Sequence, residues 1–306
     1  MQISRMTGLA MRVMVAGVRH RLRSRPARTQ ATEPGDNRQA ALLLLPVTLI
    51  LLAAFLAPLS FVLFNSIHAD GFTLRGFTTL AGSTLFWRVL HTSFDISLTA
   101  TLCSLLVGYP VALHIARQSP RRRALLIIIV MVPFWTSILV KSFAFTIILG
   151  NQGVINQVLV GLFGEAARVK LLFNRTGVII ALTHNLIPYV VFPVLANLLA
   201  QDRNLVRAAQ LMGAGPVRIF CRITLPLSMP GVMAAGLMAM VISMGMFVTP
   251  SLLGGRQDMM IANLVDFYTR QTLDWNKAAC IAVVLLVLSM TLAGLLARVR
   301  GSDAVI

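Results

Sequence analysis

The chain has 306 residues, of which 57% are apolar and 12% charged, against about 45–50% and about 25% in soluble domains. That composition excludes an ordinary water-soluble fold. The 27 basic residues outnumber the 10 acidic ones, for a formal charge of +17, and their placement decides between nucleic acid and lipid as the partner. Seven arginines, Arg5, Arg12, Arg19, Arg21, Arg23, Arg25 and Arg28, fall in the first 28 residues, and most of the others sit in short gaps between apolar runs. This is the pattern of a polytopic membrane protein with basic cytoplasmic loops, not of a nucleic-acid surface.

Residues 1–40 read as a basic cytoplasmic segment. Met6, Leu9, Val13 and Met14 oppose the arginines as in an in-plane amphipathic helix, and a disordered tail drawn to membrane lipid fits the same residues. Arg12 and Arg19 interrupt the apolar stretch before residue 40, which argues against a cleavable signal peptide. Residues 31–39, with Pro34 and Gly35, read as a linker.

Six stretches then reach the roughly 20 apolar residues that crossing about 30 Å of hydrocarbon requires: 41–64, 89–116, 124–149, 177–200, 230–253 and 278–297. The expected fold is an all-α integral membrane protein, a six-helix transmembrane bundle over residues 41–300, with 301–306 as a tail. An even number of spans puts both termini on one side. That side collects eighteen basic residues and the other eight, so both termini are expected in the cytoplasm. Trp87 and Trp275, just before the second and sixth spans, mark the outer interface and agree. Pro46, Pro58, Pro110, Pro133, Pro188, Pro193 and Pro250 predict kinked helices whose freed carbonyls find partners inside the bundle.

Catalytic signatures are missing. There is no GxxxxGK[ST] loop to cradle ATP phosphates and no HExxH, and His20, His68, His91, His114 and His184 are isolated in sequence. Cys103, Cys221 and Cys280 are too scattered for a disulfide framework or a metal site and read as packing residues.

The loop 201–229 is the most sharply punctuated. Asp202 caps a helix running to about Met212, Gly213 supplies the left-handed residue that ends it, Pro216 starts a second helix and Pro226 stops it. Val217, Phe220 and Cys221 fall on one side of that second helix, Arg218 and Arg222 on another. Such an element suits docking to a soluble partner, and equally an interfacial helix resting on lipid.

These residues resemble a known family. Arg207-Ala208-Ala209, then Gly213-Ala214, then Ile223-Thr224-Leu225-Pro226 is similar to the EAA signature of ABC-importer permeases, with Arg207 where the pattern has glutamate. Val132-Pro133-Phe134-Trp135-Thr136-Ser137, Gly153-Val154-Ile155-Asn156 and Phe247-Val248-Thr249-Pro250-Ser251-Leu252-Leu253-Gly254-Gly255 resemble the spermidine/putrescine branch, over residues 40–297. Importers of iron, thiamine, phosphonates and opines share much of this scaffold. The resemblance implies a type I importer permease with no cofactor. Its loop residues, Arg207 to Ala209, Gly213, Ala214, Pro216, Arg218, Phe220, Ile223, Leu225 and Pro226, would couple to a separate ATP-binding subunit present as a dimer. A second homologous permease and a periplasmic substrate-binding protein would complete the complex. An ATPase-independent channel or secondary transporter is the alternative from another class, and no repeat in the sequence supports it.

Two ionisable residues fall within spans, Asp95 and Lys141, at matched depths of roughly 10 and 12 Å below the outer ends. They read as a structural ion pair between neighbouring helices, or as an Asp95 that attracts an ammonium while Lys141 snorkels away. Trp135, Tyr189 and Phe247 offer aromatic faces to an amine. With Thr249 and Pro250 these complete the expected substrate pathway. Outside that pathway, Asp258, Asp266 and Asp274 recur every eight residues between spans five and six and read as facing a binding protein or an approaching cation, or as solvated loop acids.

Overall fold

A computed structural model describes residues 34–68 and 71–301. The basic segment 1–33, with the expected in-plane helix or tail, and residues 302–306 lie outside the described residues. The described residues divide into two compact units at the Leu59–Ser60 boundary. The first helix, α1 (Pro34–Ile67), begins on a proline, whose missing N–H is harmless in a first turn. Residues 34–39, expected as a linker, are therefore helical.

Helices α2 (Arg75–Ala81), α3 (Thr84–Arg117), α4 (Pro120–Trp135), α5 (Ile138–Ile148), α6 (Val154–Phe163) and α7 (Arg175–Ala200) follow. The described residues are nearly all helical, with a single bridge between His68 and Phe72 as the only extended pairing among them. Five helices are long and apolar enough to cross a membrane: Leu44–Ile67, Thr84–Arg117, Arg175–Ala200, Pro216–Met244 and Trp275–Arg298. Helices α4 and α5 reach that length and hydropathy only together, as a pair bent by 90°, the form of a broken span or a re-entrant loop.

That bend corrects the continuous span expected over 124–149. Pro133 withholds an N–H and crowds the carbonyl one turn back. The last-turn carbonyls orphaned where α4 ends are taken up locally, since Thr136 Oγ1 donates to Val132 O at 3.0 Å and Lys141 Nζ to Pro133 O at 3.0 Å. Hydropathy continues through the break, so composition alone counts one span. The span expected over 230–253 is likewise interrupted: α10 (Leu225–Met244) ends at Gly245, and a short separate α11 (Val248–Leu253) follows.

The core lies where α3, α7 and α10 meet. Along one face α3 buries Ser93, Ser97, Ala100, Thr101, Ser104, Gly108 and Ala112, a small-residue stripe that lets another helix come close. Lipid supplies no hydrophobic drive between helices, so dispersion at close range must. A Cβ on Gly108 would stand 2.7 Å from Val190 Cγ1, and one on Gly231 would stand 2.6 Å from Asn197 Cβ. Ile96, Ile115, Leu182, Leu186, Val191 and Val194 fill the remaining space without exposure. In the first turn of α6, buried Asn156 donates to Gly150 O (3.0 Å) and Val169 O (2.9 Å) and accepts from Val169 N (2.9 Å). The complete set of bonds explains an asparagine at this site.

Candidate functional site

The loop between α7 and α10 has the predicted punctuation up to its last residue. Helix α8 (Arg203–Leu211) is capped by Asp202, whose side chain accepts from Asn204 N at 2.8 Å. It closes on a left-handed Gly213, φ 76°. Ala214 N donates to Ala209 O and Gly213 N to Gln210 O, each at 3.0 Å, the paired bonds of a Schellman end. Pro216 opens α9 (Pro216–Ile219) at its first position.

Pro226 does not end this helix, which corrects the expected stop. The chain passes through a π turn at Phe220–Thr224 and continues as α10. A π turn is wider than an α turn, which gives the Pro226 ring room beside the preceding carbonyls while Leu225 N still bonds to Phe220 O. The expected apolar side is also redistributed. Val217 and Cys221 are exposed, whereas Phe220 is half-buried with its ring edge-on to Tyr109 at 6.1 Å. The face packed into the bundle carries Ile219, Thr224 and Ser228 instead.

What the loop leaves in the open is unusual. Leu211 is 90% exposed, Met212 81% and Val217 74%, all clustered in sequence about the Gly213 turn. Arg207, Ala208, Arg218 and Arg222 are exposed beside them, while Ala209 is buried. Arg207 also lines a cavity of about 300 Å³ with Arg117, Asp202, Val206, Ile219 and Thr224, at the root of the loop. Ala214, Ile223 and Leu225 are half-buried and Pro216 and Pro226 exposed.

The residues expected along a pathway do not converge on one place. Asp95 pairs with Arg175 at 2.8 Å, not with Lys141, which bonds to Pro133 O. The 90° bend between α4 and α5 places Lys141 over the carbonyl of Pro133. Helix α3 is 34 residues, roughly 50 Å at 1.5 Å per residue, longer than the hydrocarbon, and Asp95 lies level with Arg175, the first residue of α7. Tyr189 packs against Phe134 at 5.6 Å between centroids. Trp135 is 82% exposed. Thr249 is buried with its hydroxyl 3.3 Å from that of Ser142.

Phe247 and Pro250, in contrast, line a cavity of about 260 Å³ together with Arg256, Asn263, Asp266 and Gln271. Phe247 and Asp266 also line a second cavity of about 490 Å³ with Thr269, Arg270 and Trp275. Asp266 ends α12 (Ile261–Asp266) and Trp275 begins α13 (Trp275–Gly301). The helical path from Pro216 to Met244, 29 residues or roughly 40 Å at 1.5 Å per residue, separates Phe247 from the Gly213 loop. Asn263, Arg270 and Gln271 escaped the sequence reading, although the i,i+4 spacing of Asp266 and Arg270 is a legible signal of an ion pair.

Known proteins extend these observations. Residues 104–300 match the family described as binding-protein-dependent transport system inner membrane component. The spermidine/putrescine transport system permease protein PotB of Escherichia coli (strain K12) is 34% identical over 214 residues, 70% of this chain and 78% of that protein. PotB of Haemophilus influenzae is 31% identical over 80% of this chain and 84% of its own length. A putative 2-aminoethylphosphonate transport system permease protein PhnU of Salmonella choleraesuis is 28% identical over 85% of this chain and 92% of its own. Among solved structures, a bacterial alginate ABC transporter in complex with a pentasaccharide-bound periplasmic protein shares the fold with TM-score 0.68 and 21% identity, covering 85% of this chain and 94% of that one. The MetNI methionine ABC transporter does so with TM-score 0.54 and 18% identity, covering 71% and 95%. With its bundle of membrane-spanning helices and this match over most of its length, the chain belongs to the inner membrane component family of binding-protein-dependent transport systems, as a multi-pass ABC-importer permease.

Proposed function

We propose that this chain is one of two transmembrane subunits of an ATP-driven importer that carries a polyamine, spermidine or putrescine or a similar small organic cation, across the inner membrane. The observation that carries the reading is the Gly213 loop. Two short helices held by Asp202, Gly213 and Pro216 present Leu211, Met212 and Val217 to solvent, and large apolar side chains so exposed on a stiff turn suit a protein contact. Arg207, Arg218 and Arg222 surround them, so the matching surface on the ATPase subunit carries carboxylates.

The second helix of the loop runs without interruption into α10, as one path from Pro216 to Met244. A push on the loop is therefore delivered to the far end of that helix, beside Phe247. Hydrolysis belongs to a separate ATPase subunit in two copies. A second homologous permease completes the pore, and a periplasmic binding protein delivers substrate to the face opposite the loop. The loop and both termini face the cytoplasm, as the excess of basic residues on that side supports.

The identity to spermidine/putrescine permeases supports the substrate. A second reading, a zwitterionic aminophosphonate, is favoured by Arg256, which lines the same cavity as Asp266 and can take an anionic end. The test is ATP hydrolysis by the purified complex with its binding protein loaded in turn with putrescine, spermidine or 2-aminoethylphosphonate. Stimulation by the polyamines alone is expected. Stimulation by the phosphonate alone overturns the polyamine assignment in favour of the second reading.

A further inference from the structure

We infer that the cavities beside Phe247 bind the protonated amine head of the substrate, with Asp266 as counter-ion, the Asn263 oxygen adding negative potential to the wall and Phe247 as aromatic wall. The inference rests on the importer reading above and assigns the recognition chemistry that both substrate candidates share.

The three evenly spaced acids have different tasks. Asp258 Oδ2 accepts from Gly255 N at 3.0 Å and holds the turn after α11. Asp274 accepts from Lys277 N at 3.0 Å and pairs with Lys277 Nζ at 2.9 Å. Asp266 differs, because it lines both cavities. Its partner is Arg270, Nε to Oδ1 2.7 Å, whose side chain is 80% exposed against 30% for the aspartate. An i,i+4 pair with so exposed a guanidinium is weakly held, and the arginine can swing out while the carboxylate stays in the cavity wall.

Asn263 supplies an independent observation. Its Nδ2 is fixed as the donor by Phe247 O at 3.1 Å and by Ser251 Oγ, which fixes the amide orientation. The buried Oδ1 then has no hydrogen-bond partner among the described residues. That shielded oxygen adds negative potential to the wall that Asn263 forms, and an ammonium, which carries donors and no acceptor, can pair with the Asp266 carboxylate where the aromatic Phe247 and Trp275 line the cavities. The helix also widens here. Immediately after Asp266 the chain makes a π turn, Phe267–Gln271, closed by Thr272 N to Phe267 O at 3.2 Å, a distortion frequent at functional sites. Arg256 in the smaller cavity disfavours a second ammonium there and directs the rest of a polyamine into the larger one.

The test is uptake of labelled putrescine, spermidine and 2-aminoethylphosphonate into proteoliposomes holding the whole complex, driven by ATP and loaded binding protein. Assembly of each variant is checked by co-purification of the ATPase subunits. Asp266→Asn is expected to lower the initial rate about tenfold for every amine the wild type imports, and Asp266→Glu to recover most of it. Arg270→Gln, which removes the competing cation, is expected to exceed the wild type. Wild-type uptake by Asp266→Asn overturns the inference and leaves the importer reading standing. So does an equal fall in Asp266→Asn and Arg270→Gln, which marks the pair as a structural staple. Absence of any amine uptake by the wild-type complex overturns both readings together.

Discussion

The carboxylate of Asp95 meets the guanidinium of Arg175 at 2.8 Å, tying the side of α3 to the first residue of α7. Both side chains are about two-fifths exposed, 43% and 39%, so their coupling in a double-mutant cycle is expected to lie below about 1 kcal/mol. Exchanging the charges, Asp95→Arg with Arg175→Asp, is expected to preserve both the melting temperature in detergent and uptake. Exchanging Asp95 with Lys141 instead leaves a lysine facing Arg175 and is expected to lower the melting temperature.

Close approach of α3 to α7 depends on Gly108. Because a Cβ there would meet Val190 Cγ1 at 2.7 Å, Gly108→Leu is expected to destabilise the bundle by about 1–3 kcal/mol, the usual cost of overpacking. Gly108→Leu combined with Val190→Ala recovers part of that loss. Thermal unfolding of the purified permease complex measures both, and a melting temperature unchanged by Gly108→Leu would contradict the packing described.

Acid sensitivity is expected at the start of α13. Burial alone raises the Asp274 carboxyl, but the hydrogen bond from the Lys277 side chain, the Lys277 backbone N–H and the lysine charge outweigh it and hold Asp274 below the ordinary carboxylate value. A depressed acid stabilises the fold above its unfolded pKa, about 3.9, and loses that contribution as pH falls through its lower folded value. Asp274→Ala is therefore expected to cost about 1 kcal/mol at pH 7, as the loss of a helix cap. The gap to wild type then closes as pH falls below 4. Unfolding curves at pH 7 and at pH 3 to 4 check this.

The six apolar stretches and the caps at Asp202, Gly213 and Pro216 were legible in sequence because each rests on local chemistry: hydrocarbon thickness, an orphan N–H, a left-handed residue, a proline ring. What depends on neighbours was not. Pro226 looks like a stop, yet a π turn that starts at Phe220 carries the helix past it. Asp95 and Lys141 match in depth only if each span is as long as the membrane is thick, and α3 exceeds that length. The eight-residue spacing of Asp258, Asp266 and Asp274 suggests one role for all three, yet the first holds a turn, the last caps a helix, and packing opens Asp266 to two cavities.

The lever from Gly213 to Phe247 is tested most directly by replacing residues 211–216 with a flexible Gly-Ser segment of equal length. Uptake and ATP hydrolysis stimulated by loaded binding protein are then measured in the reconstituted complex. A stiff docking element predicts that uptake falls by at least tenfold and that stimulation by the binding protein disappears. Uptake and stimulation at wild-type levels with the flexible segment in place would contradict it.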